Sequence, residues 1–84
     1  MYKLRHYDET VTAIWDSLPA AAREELTLAL FEIIEDPHRH TRPINGQDHD
    51  VERTLTLQHT AITLLIIDAP PIQRVYIRSI EHLD

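Results

Sequence analysis

The spacing of hydrophobic and polar positions predicts a short strand followed by a helix. Residues 2–6 alternate between apolar and polar side chains, which is typical of a strand with one buried face. The next apolar residues recur at the spacing of one helical face: Val11, Ile14, Trp15 and Leu18. Asp8 stands just before them, where its side chain can cap the N-terminus of the helix.

A second helix is predicted directly after the first. Pro19 ends the first helix and suits the first turn of the next one. The second helix carries a wider apolar face, formed by Ala22, Leu26, Ala29, Leu30, Ile33 and Ile34. It ends at Asp36, because a residue that precedes a proline is driven out of the α region. Two amphipathic helices joined this closely predict a helical hairpin.

The second half of the chain has the pattern of strands. Residues 51–58 alternate, residues 61–67 are apolar on both faces as in a central strand, and residues 72–80 alternate again. We therefore expect residues 1–84 to form a single α+β domain. It would consist of an N-terminal strand, a helical hairpin and a three-stranded antiparallel meander, with the helices packed on one face of an antiparallel sheet.

Composition and charge narrow the class of protein. The chain contains no cysteine, which excludes disulfides, thiolate metal sites and cysteine nucleophiles. Its net charge is −6, and the acidic residues are concentrated on the predicted helices. No apolar run is long enough to cross a membrane, and no secretory signal pattern is visible. We therefore expect a soluble, cytoplasmic protein without a membrane partner.

Several short motifs point to a known family. The chain opens with Tyr2-Lys3-Leu4, carries Leu18-Pro19 between its helices and closes the second helix with Glu35-Asp36-Pro37. It continues with Arg42-Pro43-Ile44-Asn45-Gly46, and its last strand runs into Ile80-Glu81-His82. Over nearly the whole chain, these motifs and the order of elements resemble the RelE/ParE superfamily of toxins from type II toxin–antitoxin modules, as a divergent member.

The resemblance implies a function and partners. It implies a metal-independent mRNA endoribonuclease that inhibits translation, with mRNA on the ribosome as its target and no cofactor. It also implies a cognate antitoxin as the protein partner.

The last predicted strand carries the main candidate site. Alternate residues of a strand project to one side, so four residues are expected to share a face: Arg74, Tyr76, Arg78 and His82. The arginines could hold phosphate, Tyr76 could stack on a base, and His82 could act as a general acid or base. The alternative is a solvated face whose arginines pair with neighbouring carboxylates: Glu52, Glu81 or Asp50.

The second predicted strand adds further candidates. Glu52 could form an acid–base pair with His59 or His82 across neighbouring strands. The resemblance implies basic RNA-binding residues on this strand. Arg53, together with His59 beyond the strand, is the candidate for that role.

Residues 38–50 are predicted to be a polar loop with a turn at Asn45-Gly46. Four of its side chains could bind a divalent metal ion: His38, His40, Asp48 and His49. Their spacing matches no recognised zinc motif, so no metal site is predicted.

Two other functions remain open. Where relatives open the third strand with an aromatic or histidine residue followed by arginine, this chain has Thr60-Ala61. That difference and the net negative charge favour a catalytically inert binding module that pairs with an antitoxin-like partner. A gyrase inhibitor like the ParE branch needs no nuclease residues at all. An exposed sheet edge also leaves a homodimer open.

Overall fold

A computed structural model describes residues 1–45 and 51–83 of the chain. Within these residues it contains three helices and five strands. In chain order they are β1 (Lys3–His6), α1 (Glu9–Ser17), α2 (Ala20–Glu35), α3 (Pro37–His40), β2 (Arg42–Pro43), β3 (Glu52–Thr56), β4 (Thr60–Ala69) and β5 (Ile72–His82). The predicted α+β class is confirmed.

The two long helices form where their apolar stripes predict them. The carboxylate of Asp8 accepts a hydrogen bond from the backbone N–H of Val11 at 3.1 Å, which caps α1. Leu18 and Pro19 separate α1 from α2, and α2 ends at Glu35, just before the Asp36-Pro37 pair. Of the helices in the described residues, none is long and apolar enough to cross a membrane.

The five strands form one mixed sheet in the order β1-β5-β4-β3-β2. β3, β4 and β5 pair antiparallel, as the predicted meander requires. β1 lies beside β5 and runs parallel to it, with Leu4 opposite Val75. The prediction of a wholly antiparallel sheet with one strand before the meander was therefore wrong. The sheet contains a parallel pair and an additional edge strand, β2.

The hydrophobic core lies between the helices and one face of the sheet. Ile62, Leu64 and Ile66 of β4 are each at most 2% exposed, and Val75 and Ile77 of β5 are fully buried beside them. The helices complete this core with Val11, Ala22, Leu26, Leu30 and Ile33, and Leu18 adds to it from the connection between α1 and α2. We call the opposite side of the sheet, which the three helices do not cover, the open face.

The segment after α2 is not the continuous loop that the sequence predicts. In the part that the structure describes, α3 packs against α2, and β2 then pairs with the outer edge of β3, with Arg42 opposite Thr54. The side chain of Arg53 holds this segment: its Nε donates to Oγ1 of Thr41 at 2.7 Å, and its Nη2 donates to the carbonyl oxygen of Thr41 at 2.9 Å. The segment folds because a buried arginine satisfies its polar groups, which no local hydrophobic pattern indicates.

Candidate functional site

Three residues of β5 stand together on the open face. Since Val75 and Ile77 are buried against the helices, Arg74, Tyr76 and Arg78 project from the other side of the strand. The Nη1 atom of Arg74 donates to the hydroxyl oxygen of Tyr76 at 3.4 Å. The structure therefore brings together three of the four residues that the sequence grouped on this strand.

β1 adds two cations beside this group. The parallel register places Lys3 next to Arg74 and Arg5 next to Tyr76, and both β1 side chains are exposed. Sequence analysis missed these residues. The alternation in residues 2–6 shows that Lys3 and Arg5 share a face, but only the pairing of β1 with β5 shows which residues lie beside them.

A second tyrosine follows β1 on the same side. The guanidinium carbon of Arg78 lies 5.2 Å from the ring centroid of Tyr7, which is a cation–π contact. We call this group of exposed or half-buried side chains the basic sheet face: Lys3, Arg5, Tyr7, Arg74, Tyr76 and Arg78.

Charge is segregated between the two sides of the molecule. The basic sheet face holds four of the eight lysines and arginines of a chain whose net charge is −6. Within the described residues, the strand carboxylates on the open face are those of Glu52 and Glu81. On the helix side, α1 and α2 carry several acidic residues and Arg23. The open face is therefore basic and the helical face acidic.

His82 does not lie on the basic sheet face. A β-bulge interrupts β5, since Thr63 pairs with Ser79 while Leu64 pairs with Ile77, and Arg78 is left as the extra residue. The alternation shifts by one position after the bulge, so His82 lies opposite the buried Thr60, on the helix side. The prediction that His82 shares a face with Arg78 was wrong because it assumed a strand without a bulge.

Glu52 lies on the open face in the same row as Tyr76, because both are opposite Leu65. Two strand spacings separate their backbones, or about 10 Å. His59 and His82 lie toward the other end of β4, and the position that pairs with His82 is about 16 Å along the strand from Leu65. The predicted pair of Glu52 with His59 or His82 is therefore not formed.

The other two predicted RNA-binding residues lie away from the basic sheet face. Arg53 is only 3% exposed, and its Nη2 also donates to the carbonyl oxygen of His38 at 3.2 Å. Its guanidinium is directed to the α3–β2 segment, so its assignment to RNA binding was wrong. His59 lies in the β3–β4 turn, where the backbone N–H groups of Gln58 and His59 donate to the carboxylate of Glu25 at 3.3 and 2.9 Å.

Metal ligands are not clustered in the described residues. Among residues 1–45 and 51–83, no three histidine, aspartate or glutamate side chains form a group that could hold a metal ion. Nδ1 of His40 lies 3.7 Å from Oε2 of Glu32. Asp48, His49 and Asp50, and Gly46 of the predicted turn, lie outside the described residues.

An apolar surface lies on the helix side. A cavity of about 170 Å³, which we call the apolar groove, is lined by Leu4, Trp15, Thr27, Leu30, Phe31 and Ile34. Phe31 and Leu28 of α2 are each 62% exposed. Glu24 and Glu35 lie one turn before and one turn after them on the same side of α2. Trp15 of α1 is half-buried, packs against the hydrophobic core and also lines this groove.

No family model, no curated protein and no solved structure matches this chain. The class that the fold defines is an α+β domain in which helices cover one face of a five-stranded mixed sheet. The basic sheet face and the apolar groove are the two surfaces of the described residues on which a function is proposed first.

Proposed function

We propose that the protein is the toxin-family component of a type II toxin–antitoxin module and that its basic sheet face binds RNA. The observation that carries this proposal is the collection of four cations and two tyrosines on one face of an acidic chain. Proteins draw their affinity for nucleic acids from lysine and arginine contacts to phosphates. The RelE/ParE-like order of strand, helical hairpin and meander supports the same assignment.

The side chains on this face suit single-stranded RNA. The guanidinium groups of Arg74 and Arg78 present planar pairs of donors to phosphate oxygens. Tyr7 and Tyr76 supply rings on which unpaired bases can stack, and each ring or its hydroxyl contacts one of these arginines. A strand that lies along β1 and β5 can therefore place phosphates on the cations and bases on the rings.

The open face also carries groups for cleavage without a metal ion. In this proposal the carboxylate of Glu52 accepts the proton of a ribose 2′-hydroxyl, and the resulting oxygen attacks the adjacent phosphate. Tyr76, in the same row and two strand spacings from Glu52, donates its hydroxyl hydrogen to a phosphate oxygen and so stabilises the negative charge that develops there. The bond between phosphorus and the 5′-oxygen breaks, and the leaving 5′-oxygen takes a proton from solvent water, so the products are a 2′,3′-cyclic phosphate and a 5′-hydroxyl. His82 takes no part, because it lies on the other side of the sheet.

RNA binding is tested by fluorescence anisotropy with a labelled single-stranded oligoribonucleotide. The Arg74→Gln/Arg78→Gln variant is expected to bind at least about tenfold more weakly, because it loses two phosphate contacts. Arg39→Gln/Arg42→Gln removes the same charge from the far edge of the sheet and is the matched control, with a change below about twofold. Equal weakening by both variants, or no binding by the natural chain, would refute the proposal.

Cleavage is tested with the same RNA and by expression in cells. Glu52→Gln is expected to abolish cleavage and keep RNA binding, whereas His82→Ala keeps both. On induction, protein synthesis is expected to fail before DNA synthesis. Earlier failure of DNA synthesis would support gyrase inhibition instead, and unimpaired growth with folded protein would support a binding module without activity.

The apolar groove supports a second candidate function, that of a catalytically inert binding module. Phe31 and Leu28 are large apolar side chains left mostly exposed, with Glu24 and Glu35 on either side. This surface suits an antitoxin-like partner that presents an amphipathic segment with flanking lysines or arginines. Phe31→Asp is expected to abolish copurification with such a partner, here the adjacent gene product, and to leave RNA binding unchanged.

A further inference from the structure

A polar cleft of about 390 Å³ lies at the edge of the sheet farthest from β1. We call it the edge cleft, and its lining includes Arg39, His40, Thr41, Arg42, Thr54 and Thr56. The cleft exists because β2 is only two residues long and pairs with β3 as far as Thr54. Beyond that point no strand of residues 1–45 and 51–83 pairs with the outer edge of β3, and the segment that enters from α3 forms the opposite wall.

The wall that carries the cations is fixed from inside the protein. Arg53 donates to the side chain and carbonyl of Thr41 and to the carbonyl of His38. Oγ1 of Thr41 in turn donates to the carbonyl oxygen of Pro37 at 2.6 Å. The backbone that bears Arg39 and Arg42 is therefore held before any ligand arrives, which lowers the ordering cost of binding.

Several donors converge on the cleft. Arg39 and Arg42 are exposed, and within residues 1–45 and 51–83 neither guanidinium has a hydrogen-bond or ion-pair partner. The N–H of Ile44 donates to the carbonyl of Glu52 at 3.2 Å, so alternate residues of β3 turn their backbone groups toward the β2 edge. The backbone N–H of Thr56 is directed to the same edge, past the end of β2.

Two other polar side chains of the cleft already have partners. Oγ1 of Thr54 donates to the carbonyl oxygen of Ile62 at 3.0 Å, and His40 lies 3.7 Å from the carboxylate of Glu32. Among the described residues, Glu32 is exposed on α2, and its carboxylate beside His40 opposes an anion at this site. Among the described residues that line the cleft, two are arginines and none carries a carboxylate, so this lining favours an anion.

We infer that the edge cleft binds the dianionic phosphate group of a small phosphate monoester. The two guanidinium groups match the charge of a dianion and can each donate a pair of hydrogen bonds to its oxygens. A phosphodiester carries one charge per phosphate and would leave one guanidinium unmatched. The volume of the cleft is within the range of small-molecule sites, so it can also hold the body of a mononucleotide.

This site is separate from the basic sheet face. Three strand spacings, or about 14 Å, lie between β2 and β5. The inference therefore goes beyond the proposed RNA binding and does not depend on it.

The test is a titration of the full chain, labelled with ¹⁵N, with adenosine 5′-monophosphate and with inorganic phosphate. Both probes are expected to give saturating shift changes confined to residues 39–42 and 54–56, and adenosine alone is expected to give none. Arg39→Gln/Arg42→Gln should weaken binding by at least about tenfold, whereas Arg74→Gln/Arg78→Gln should change it by less than about twofold. Glu32→Gln is expected to strengthen binding, because it removes the opposing carboxylate.

Two outcomes would overturn the inference. One is a shift response that does not saturate, is unchanged in Arg39→Gln/Arg42→Gln, or is centred on β1 and β5. The other is equal affinity for a dinucleotide with a 5′-hydroxyl, whose only phosphate is a diester. The amide spectrum of each variant shows whether it is folded, and Arg39→Lys/Arg42→Lys, which keeps the charge, should retain part of the binding. RNA binding is expected to depend on Arg74 and Arg78, whereas phosphate binding is expected to depend on Arg39 and Arg42. The failure of one proposal therefore leaves the other testable.

Discussion

Two polar residues, Arg53 and Thr60, are buried in the protein, and they differ in how far hydrogen bonds offset the free-energy cost of burial. Arg53 is 3% exposed, but its guanidinium donates to the side chain of Thr41 and to two carbonyl groups. Thr60 is completely buried, and among the described residues its hydroxyl has no hydrogen-bond partner. Burial of Arg53 therefore fixes a neighbouring segment, whereas burial of the Thr60 hydroxyl only costs stability.

Replacement of Thr60 by valine tests this difference. Thr60→Val keeps the branched shape and removes the unsatisfied hydroxyl, so the free energy of unfolding is expected to rise by about 1 kcal/mol. Thr54→Val is the matched control, because the Thr54 hydroxyl donates to the carbonyl of Ile62, and it should lower stability by about 1 kcal/mol. Urea unfolding with an unchanged m-value measures both, and destabilisation by Thr60→Val would contradict the expectation.

Tyr2 and Asp68 form an interacting pair near the turn between β4 and β5. Partial burial, and then the nearby carboxylate of Asp68, raise the pKa of the Tyr2 hydroxyl above its ordinary value. The hydrogen bond from Gln73, and then the interaction with Tyr2, lower the pKa of Asp68. The protein therefore favours a neutral phenol beside a charged carboxylate.

The two pKa shifts give the pair a defined pH dependence. The contribution of Asp68 to the stability of the folded chain is fully present above the carboxyl pKa of the unfolded chain and is lost as the pH falls through the folded pKa. The contribution of Tyr2 is present below the phenol pKa of the unfolded chain and is lost as the pH rises through the folded pKa. Tyr2→Phe should be less stable than the natural chain at pH 7, with the difference shrinking below pH about 4 and above pH about 10. Urea unfolding across this range measures it, and a difference that does not change with pH would contradict the assignment.

At the scale of elements, one carboxylate ties a helix to the end of a hairpin. Glu25 projects from α2, and its two oxygens accept the backbone N–H groups of Gln58 and His59, in the turn between β3 and β4. These turn groups lie outside the strand ladder and gain an ionised acceptor. The contact fixes the end of the hairpin against the helical layer.

Glu25→Gln tests this contact between α2 and the turn, with the adjacent Glu24→Gln as its control. It removes the charge from two hydrogen bonds and is expected to lower the free energy of unfolding by about 1–2 kcal/mol. Glu24→Gln removes the same charge from an exposed position of α2 and should change stability by less than about 0.5 kcal/mol. Thermal or urea unfolding measures both, and equal effects would mean that the loss reflects helix charge and not the turn contacts.

At the scale of the whole molecule, the two faces carry opposite charge. The net charge of −6 alone would argue against RNA binding, because it averages the acidic helices with the basic sheet face. A nucleic acid that approaches the open face meets Lys3, Arg5, Arg74 and Arg78, with the acidic layer on the far side of the sheet. The distribution of charge between the two faces, and not the net charge, determines which face binds a polyanion.

The salt dependence of RNA binding measures how many of these cations contact phosphates. Four contacts to a single strand predict a slope of about −2.8 for log K against log salt concentration, at about −0.7 per contact. Arg74→Gln/Arg78→Gln should reduce the slope to about −1.4. An unchanged slope in the variant would show that these arginines do not contact phosphate.

Local patterns predicted most of the fold and part of the candidate site. The cap at Asp8, the two helices and the antiparallel meander follow from spacing, turn residues and proline positions, which act over a few residues. Arg74, Tyr76 and Arg78 lie before or at the bulge, so simple alternation places them correctly. His82 lies beyond the bulge, where a single extra residue reverses the face on which the following side chains project.

The amino-acid sequence by itself determined the class of fold, the order of its main elements and which side chains share a face within an uninterrupted helix or strand, because these depend on periodicity within one segment. Only the tertiary structure decided that β1 runs parallel to β5, so that Lys3 and Arg5 join the arginines of β5. It also decided that Arg53 is buried and holds the wall of the edge cleft. These features depend on contacts between residues far apart in the chain, whose geometry is fixed by the packing of the whole domain.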